Sequence, residues 1–138
     1  MTAVVVGYVP RPEGRAALAR GIAEADLRGT RLVVVNATRG DALVDDRFVQ
    51  GDARDELAAE LARVPVPTEL RQLNDGRDIA QQLESVALET GADLIVIGIR
   101  RRSPVGKLIL GSAASRILLS VSIPVLAVKA DEGVSLRG

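Results

Sequence analysis

Unbroken apolar runs and amphipathic stretches alternate along this chain. Ala3-Val4-Val5-Val6-Gly7 is a run rich in β-branched residues, as expected of a strand buried on both faces. Beyond Pro10 and Pro12, Leu18, Ile22 and Ala25 recur at helical spacing until Gly29 supplies a stop. Arg31 to Val35 reads as a second strand, apolar after its first residue, and a polar stretch from Asn36 to Asp52 follows. Leu57, Ala58, Leu61 and Ala62 mark a second helix closed by Pro65 and Pro67, and the alternation from Thr68 to Leu73 reads as an edge strand. Ile79, Leu83, Val86 and Ala87 predict a third helix ending at Gly91, and Leu94 to Ile97 a buried strand stopping at Gly98. Ala113, Ala114, Ile117, Leu118 and Val121 give a fourth helix, Ile123 to Val128 the last strand, and Asp131 to Gly138 a loose tail.

The order is β-α-β-α-β-α-β-α-β with apolar strands, which predicts an α/β fold: a parallel sheet covered by helices on both faces. Residues 1–130 are expected to form one domain and 131–138 a flexible C-terminal tail. In such open sheets ligands sit beyond the carboxyl ends of the strands, where the strand order reverses. The connections after Gly7, Val35 and Ile97 are therefore the places to look.

Composition removes several function classes. The 138 residues are 47% apolar, and Lys+Arg and Asp+Glu stand at 18 each. There is no Cys and no His, which excludes disulfides, thiol nucleophiles, zinc sites built on thiolate or imidazole, and imidazole-dependent triads. Tyr8 and Phe48 are the only aromatic residues, too few for stacking modules that bind RNA or single strands, and too few to sandwich a flavin. Zero net charge gives little non-specific pull toward nucleic acid or an anionic membrane. The longest apolar run falls far short of the ~20 residues a bilayer crossing needs, and no signal-peptide pattern opens the chain. A cytoplasmic protein is expected.

Charge is nonetheless uneven. Between Leu94 and Ala130 stand Arg100, Arg101, Arg102, Lys107, Arg116 and Lys129, with no acid among them. The connection from Gly98 to Ser112 exceeds the roughly 2–6 residues that suffice between strand and helix. It holds three glycines, four cations and a Gly111-Ser112 step into a helix. A helix N-terminus offers N–H donors and a positive dipole to an anion. Gly98 and Gly111 would let backbone approach a phosphate, and the Ser112 hydroxyl would donate to it. The competing reading is that Gly98 ends a strand, Gly111 serves a turn, Ser112 is an N-cap and the arginines form a solvated face. The P-loop pattern fails at Arg101 and Leu108, and no Gly-x-Gly-x-x-Gly follows the first strand. Val9 and Asn36 stand where a receiver domain would carry acids.

The chain resembles the universal stress protein (UspA) family over roughly residues 1–130, as a single-domain member. The resemblance rests on Val4-Val5-Val6-Gly7 with Pro12-Glu13-Gly14, on Gly91-Ala92-Asp93-Leu94-Ile95-Val96-Ile97-Gly98, on Gly111-Ser112 and on Ile123-Pro124-Val125-Leu126-Ala127-Val128-Lys129. It implies strand order 3-2-1-4-5 in a five-stranded open parallel sheet of the HUP, adenine nucleotide alpha hydrolase-like, kind. Nucleotide-binding members carry Gly-x2-Gly-x9-Gly-Ser/Thr. Here Gly98 and Gly111-Ser112 keep their places, and Arg101 replaces the middle glycine. Val9 stands where the family commonly has an adenine-contacting Asp, and Val35 would line the adenine pocket. The implied nucleotide site takes Gly7, Tyr8, Val9 and Val35 from the first two strand ends. It takes Gly98, Arg100, Arg101, Gly111, Ser112 and Ala113 from the phosphate side.

The resemblance implies an adenine-nucleotide (ATP or AMP) binding regulatory protein of the stress response, non-catalytic or nearly so. Binding is expected to be weakened and relaxed in base selectivity at Val9, with Arg100, Arg101 and Lys107 offsetting part of the loss. Mg²⁺ or Mn²⁺ is expected only with bound ATP. A homodimer through Val125, Leu126, Ala127 and Val128 of the last strand is implied as well, the protein partner being unknown. Two alternatives stand beside this reading. One is a homodimeric scaffold that has lost nucleotide binding; the other is a slow ATPase or autophosphorylating protein. Against an enzyme stands the lack of a base in the C-terminal third, unless Asp45, Asp46 or Asp52 swings in.

Overall fold

The computed structural model describes residues 2–38, 48–100 and 110–130. Five strands, β1 (Ala3–Gly7), β2 (Arg31–Ala37), β3 (Thr68–Leu73), β4 (Ala92–Arg100) and β5 (Val125–Ala130), form one parallel sheet in the order β3-β2-β1-β4-β5. Helices α1 (Pro12–Arg28), α2 (Gly51–Leu61), α3 (Ile79–Thr90) and α4 (Ser112–Ser120) connect them. The expected fold and strand order are both present. The expected tail, 131–138, lies outside the described residues.

Alternation along the central strands builds two separate cores. Val4, Val6, Leu32, Val34, Leu94 and Val96 pack with Leu18, Leu57 and Leu61 of α1 and α2 on one face. Val5, Val33, Val35, Ile95 and Ile97 pack with Leu83, Val86 and Ile117 of α3 and α4 on the other. Each fully buried valine contributes roughly 1.5–3 kcal/mol, and neither face can take a polar side chain without a partner for it. That is why these strands read as continuous apolar runs.

The helices stop where punctuation was read. Gly29 (φ 65°) and Gly91 (φ 70°) adopt the left-handed conformation, their N–H groups donating to Ala25 O and Asp26 O, and to Ala87 O and Leu88 O. Asp78 caps α3 by accepting from Ala80 N at 3.1 Å. On α2, Leu57 and Leu61 are buried, whereas Ala58 and Ala62, expected on the same face, are exposed. The α4 helix ends at Ser120, so Val121 is its C-cap and not a helical residue.

Two strands outrun their expected ends. The second continues through Asn36, which is fully buried in the sheet, to Ala37. Its side chain is saturated: Nδ2 donates to Tyr8 O at 2.9 Å, and Oδ1 accepts from Val49 N at 2.8 Å and from Gln72 Nε2 at 3.1 Å. The fourth strand passes through Gly98, paired with Val128, to Arg100, paired with Ala130. Gly98 is an interior strand residue because the first turn of α1 lies on it. A Cβ there would sit 1.8 Å from Glu13 O. Gly14 makes the reciprocal approach, its Cβ position lying 1.8 Å from Val9 O.

The sheet's edges differ. On β3, Arg71 pairs with Glu69 at 2.7 Å and with Glu89 of α3 at 3.1 Å. On β5, residues Val125 to Val128 are apolar and half-buried. Among the described residues no helix is long and apolar enough to cross a membrane.

Gly98→Ala should lower the free energy of unfolding by about 3 kcal/mol, because backbone rather than a flexible side chain occupies the space. Urea unfolding of wild type and variant measures it; an unchanged midpoint would mean α1 is not seated there.

Candidate functional site

A cavity of about 530 Å³ opens at the carboxyl ends of β2, β1 and β4, where the chain order along the sheet reverses. Its base is apolar: Val35, Ala37 and Ile97 from the strands, Ile79 and Leu83 from α3, and Ile117 from α4. On one side stand Tyr8, Val9, Arg11, Glu13 and Gly14 of the β1–α1 connection and first turn. On the other stand Gly98 and Ile99 of β4, and Gly111, Ser112 and Ala113 at the start of α4.

Of the expected site residues, Gly7, Tyr8, Val9, Val35, Gly98, Gly111, Ser112 and Ala113 are thus brought together. Arg101 lies outside the described residues, as do Arg102 and Lys107, and of Arg100 only the backbone is described. The candidate bases Asp45 and Asp46 also lie outside them, and Asp52 sits exposed in the first turn of α2, away from the cavity wall.

Several roles differ from those read along the chain. Gly98 faces the Glu13 backbone, so its missing side chain makes room for α1. Gly111 differs from Gly98: among the described residues nothing lies within 4 Å of its Cβ position, and its φ of −69° is open to any residue, so no turn requires a glycine there. Gly111 is also the N-cap of α4, which makes Ser112 the first helical residue instead of the cap, and among the described residues no side chain closes that end. The N–H groups of a helix's first turn have no partner within the helix. Tyr8 extends the sheet, its N–H donating to Val35 O at 2.8 Å, while the residue is buried in the α1–α2 core.

Behind this wall Arg15 holds the connection in place. Its Nη1 donates to Tyr8 Oη at 3.4 Å and to Glu60 Oε1 at 3.0 Å, and its Nη2 to Glu60 Oε2 at 2.8 Å. The hydrogen bond from Arg15 holds the Glu60 carboxyl below its ordinary range, and the same bond raises the guanidinium. The pair is solvent-exposed, so it orients α1 against α2 more than it stabilises the fold.

Arg11 and Glu13 were missed in the chain reading, which sought charge only after the fourth strand. They are the ionisable residues that the described cavity wall holds besides Tyr8. The available signal was their place in a strand-to-helix connection at the reversal point. Ala37 was missed for a simpler reason: the second strand was ended two residues early.

Comparison with known proteins agrees with this geometry. The model of the universal stress protein family matches residues 1–129. A universal stress protein of Mycolicibacterium smegmatis is 50% identical over 126 residues, 91% of this chain and 96% of that protein. The solved structure of a universal stress protein from Archaeoglobus fulgidus superposes with a TM-score of 0.75 at 31% identity, covering 94% of this chain and 98% of that one. A structure of the Archaeoglobus fulgidus universal stress protein in complex with dAMP has a TM-score of 0.69 at 25% identity, with coverage of 94% and 98%. This chain belongs to the universal stress protein family.

Proposed function

We propose that this protein binds an adenine nucleotide, ATP or AMP, in the cavity at the β1–β4 reversal point and acts as a regulatory protein of the stress response. The observation that carries the reading is the polarity of that cavity along its length. At one end the apolar surfaces of Val35, Ala37, Ile79 and Leu83 suit a planar base; at the other, Gly111 opens the start of α4 to an anion. The dAMP held by the Archaeoglobus fulgidus relative supports an adenylate over other anions. Mg²⁺ or Mn²⁺ would arrive only with ATP, held through its phosphates. Among the described residues the cavity wall holds one acidic residue, Glu13, a sparse supply of bases that favours binding over turnover. The setting is cytoplasmic.

A second reading concerns association. The β5 edge, apolar from Val125 to Val128, leaves unpaired backbone groups along one side, a template for a second copy of this chain. A homodimer through this strand is compatible with nucleotide binding and would survive its loss.

Calorimetry should give saturable heat with ATP and AMP; none at millimolar nucleotide would sink the binding reading. Gly111→Ala should cost the fold no more than about 1 kcal/mol while weakening nucleotide binding severalfold, since the added methyl enters the space the phosphates need. A thermal melt beside the titration separates the two effects. Light scattering should return a dimer mass at micromolar concentration, and a monomer mass rejects pairing through β5.

A further inference from the structure

The α4 helix is lightly seated. Ile117 is its one buried residue, Ala114 packs partly on the same core, and Leu118 and Leu119 are exposed. Two polar links to α3 flank that apolar contact. At the far end Glu84 Oε2 accepts from Ser122 N at 3.0 Å and from Ser122 Oγ at 2.7 Å, which ties down the turn into β5. At the near end Arg116 Nη1 donates to Asp78 Oδ2 at 2.6 Å.

The near link joins the two ends of the cavity. Asp78 is the N-cap of α3, its Oδ1 accepting from Ala80 N, so this carboxylate is held against its own helix. Next in the chain is Ile79, part of the apolar surface that suits a base. On α4, Arg116 lies four residues beyond Ser112 and three beyond Ala113, so it shares their side of the helix. Ser112 and Ala113 line the anion end. Asp78 is the more buried partner, its side chain 21% exposed against 61% for Arg116. The carboxylate is thus the fixed post and the guanidinium the tie.

We propose that Asp78 and Arg116 are a positioning pair: they set the spacing between the base surface of α3 and the start of α4, and so decide how much of a nucleotide's affinity comes from its phosphate. This rests on the adenine-nucleotide reading above. Neither residue lines the cavity, so the pair acts through the helices that carry it. Charge alone predicts the opposite sign at one partner. Removing the negative charge of Asp78 favours a nearby anion, whereas losing the tie disfavours it. An exposed ion pair is worth little to the fold, Asn keeps the cap at 78, and Gln keeps helix propensity at 116.

The test is calorimetric titration of wild type, Asp78→Asn, Arg116→Gln and the double variant with AMP and adenosine, beside thermal melts. Each single variant should weaken AMP roughly threefold to fivefold while adenosine affinity and melting stay nearly unchanged. The double variant should be no weaker than either single one, the mark of a shared interaction. Arg116→Lys, which keeps the cation, should recover most of the AMP affinity. If Asp78→Asn leaves AMP affinity unchanged or raises it, positioning is overturned while the nucleotide site stands; a loss confined to Arg116→Gln would then mean that Arg116 meets the phosphate itself. Equal losses for AMP and adenosine overturn it as well. Where adenosine binds too weakly to titrate, the sign at Asp78→Asn decides alone. If wild type binds neither ligand, the site reading itself fails and this inference with it.

Discussion

The contact on which the site depends is backbone against backbone. The first turn of α1 rests on β4 with no side chain between them, because residue 98 is glycine. Parallel sheets covered on both faces leave little free space at the level of the strands, so a cavity forms only where connections diverge at the strand ends. Here the divergence has a fixed geometry. The β1–α1 connection is pinned to β2 through Tyr8 and Asn36, to β4 through Gly98, and to α2 through Arg15 and Glu60. The cavity wall is thus made of the same contacts that close the fold.

The central architecture was legible because burial on two faces leaves one kind of sequence possible. Val4 to Val6, Leu32 to Val35 and Leu94 to Ile97 each offer apolar groups to both cores. Strand ends were less legible, for two different physical reasons. Asn36 reads as the start of a loop, yet it is buried in the sheet because Val49, Gln72 and Tyr8 satisfy it from distant points in the chain. Gly98 reads as punctuation, yet it is a strand residue whose missing side chain is filled by a helix that starts more than eighty residues earlier. Both identities are decided by tertiary neighbours, and no local pattern carries them.

The site divides along the same line. Gly7, Tyr8, Val9 and Val35 were legible as strand ends, and Gly111, Ser112 and Ala113 as a helix start, since topology alone says which ends of the elements converge. Their roles were not. Two glycines of one expected phosphate loop turn out to serve different purposes: Gly98 is space for protein and Gly111 is space beside the cavity. Arg11 and Glu13 were invisible to a search guided by charge density, because they stand among balancing charges near the N-terminus. Only the seating of α1 on Gly98 brings Glu13 to the cavity wall.

The two borders of the sheet have unequal chemistry. On β3, Arg71 with Glu69 and Glu89 sets hydrated ion pairs along the outer strand, and a neighbouring strand would have to strip them of water. On β5 the stretch from Val125 to Val128 demands no such desolvation. Growth of a sheet by edge addition needs two receptive borders to propagate, and this molecule has one. Any pairing of copies through it is self-limiting, because the second border offers no apolar strand for a further copy.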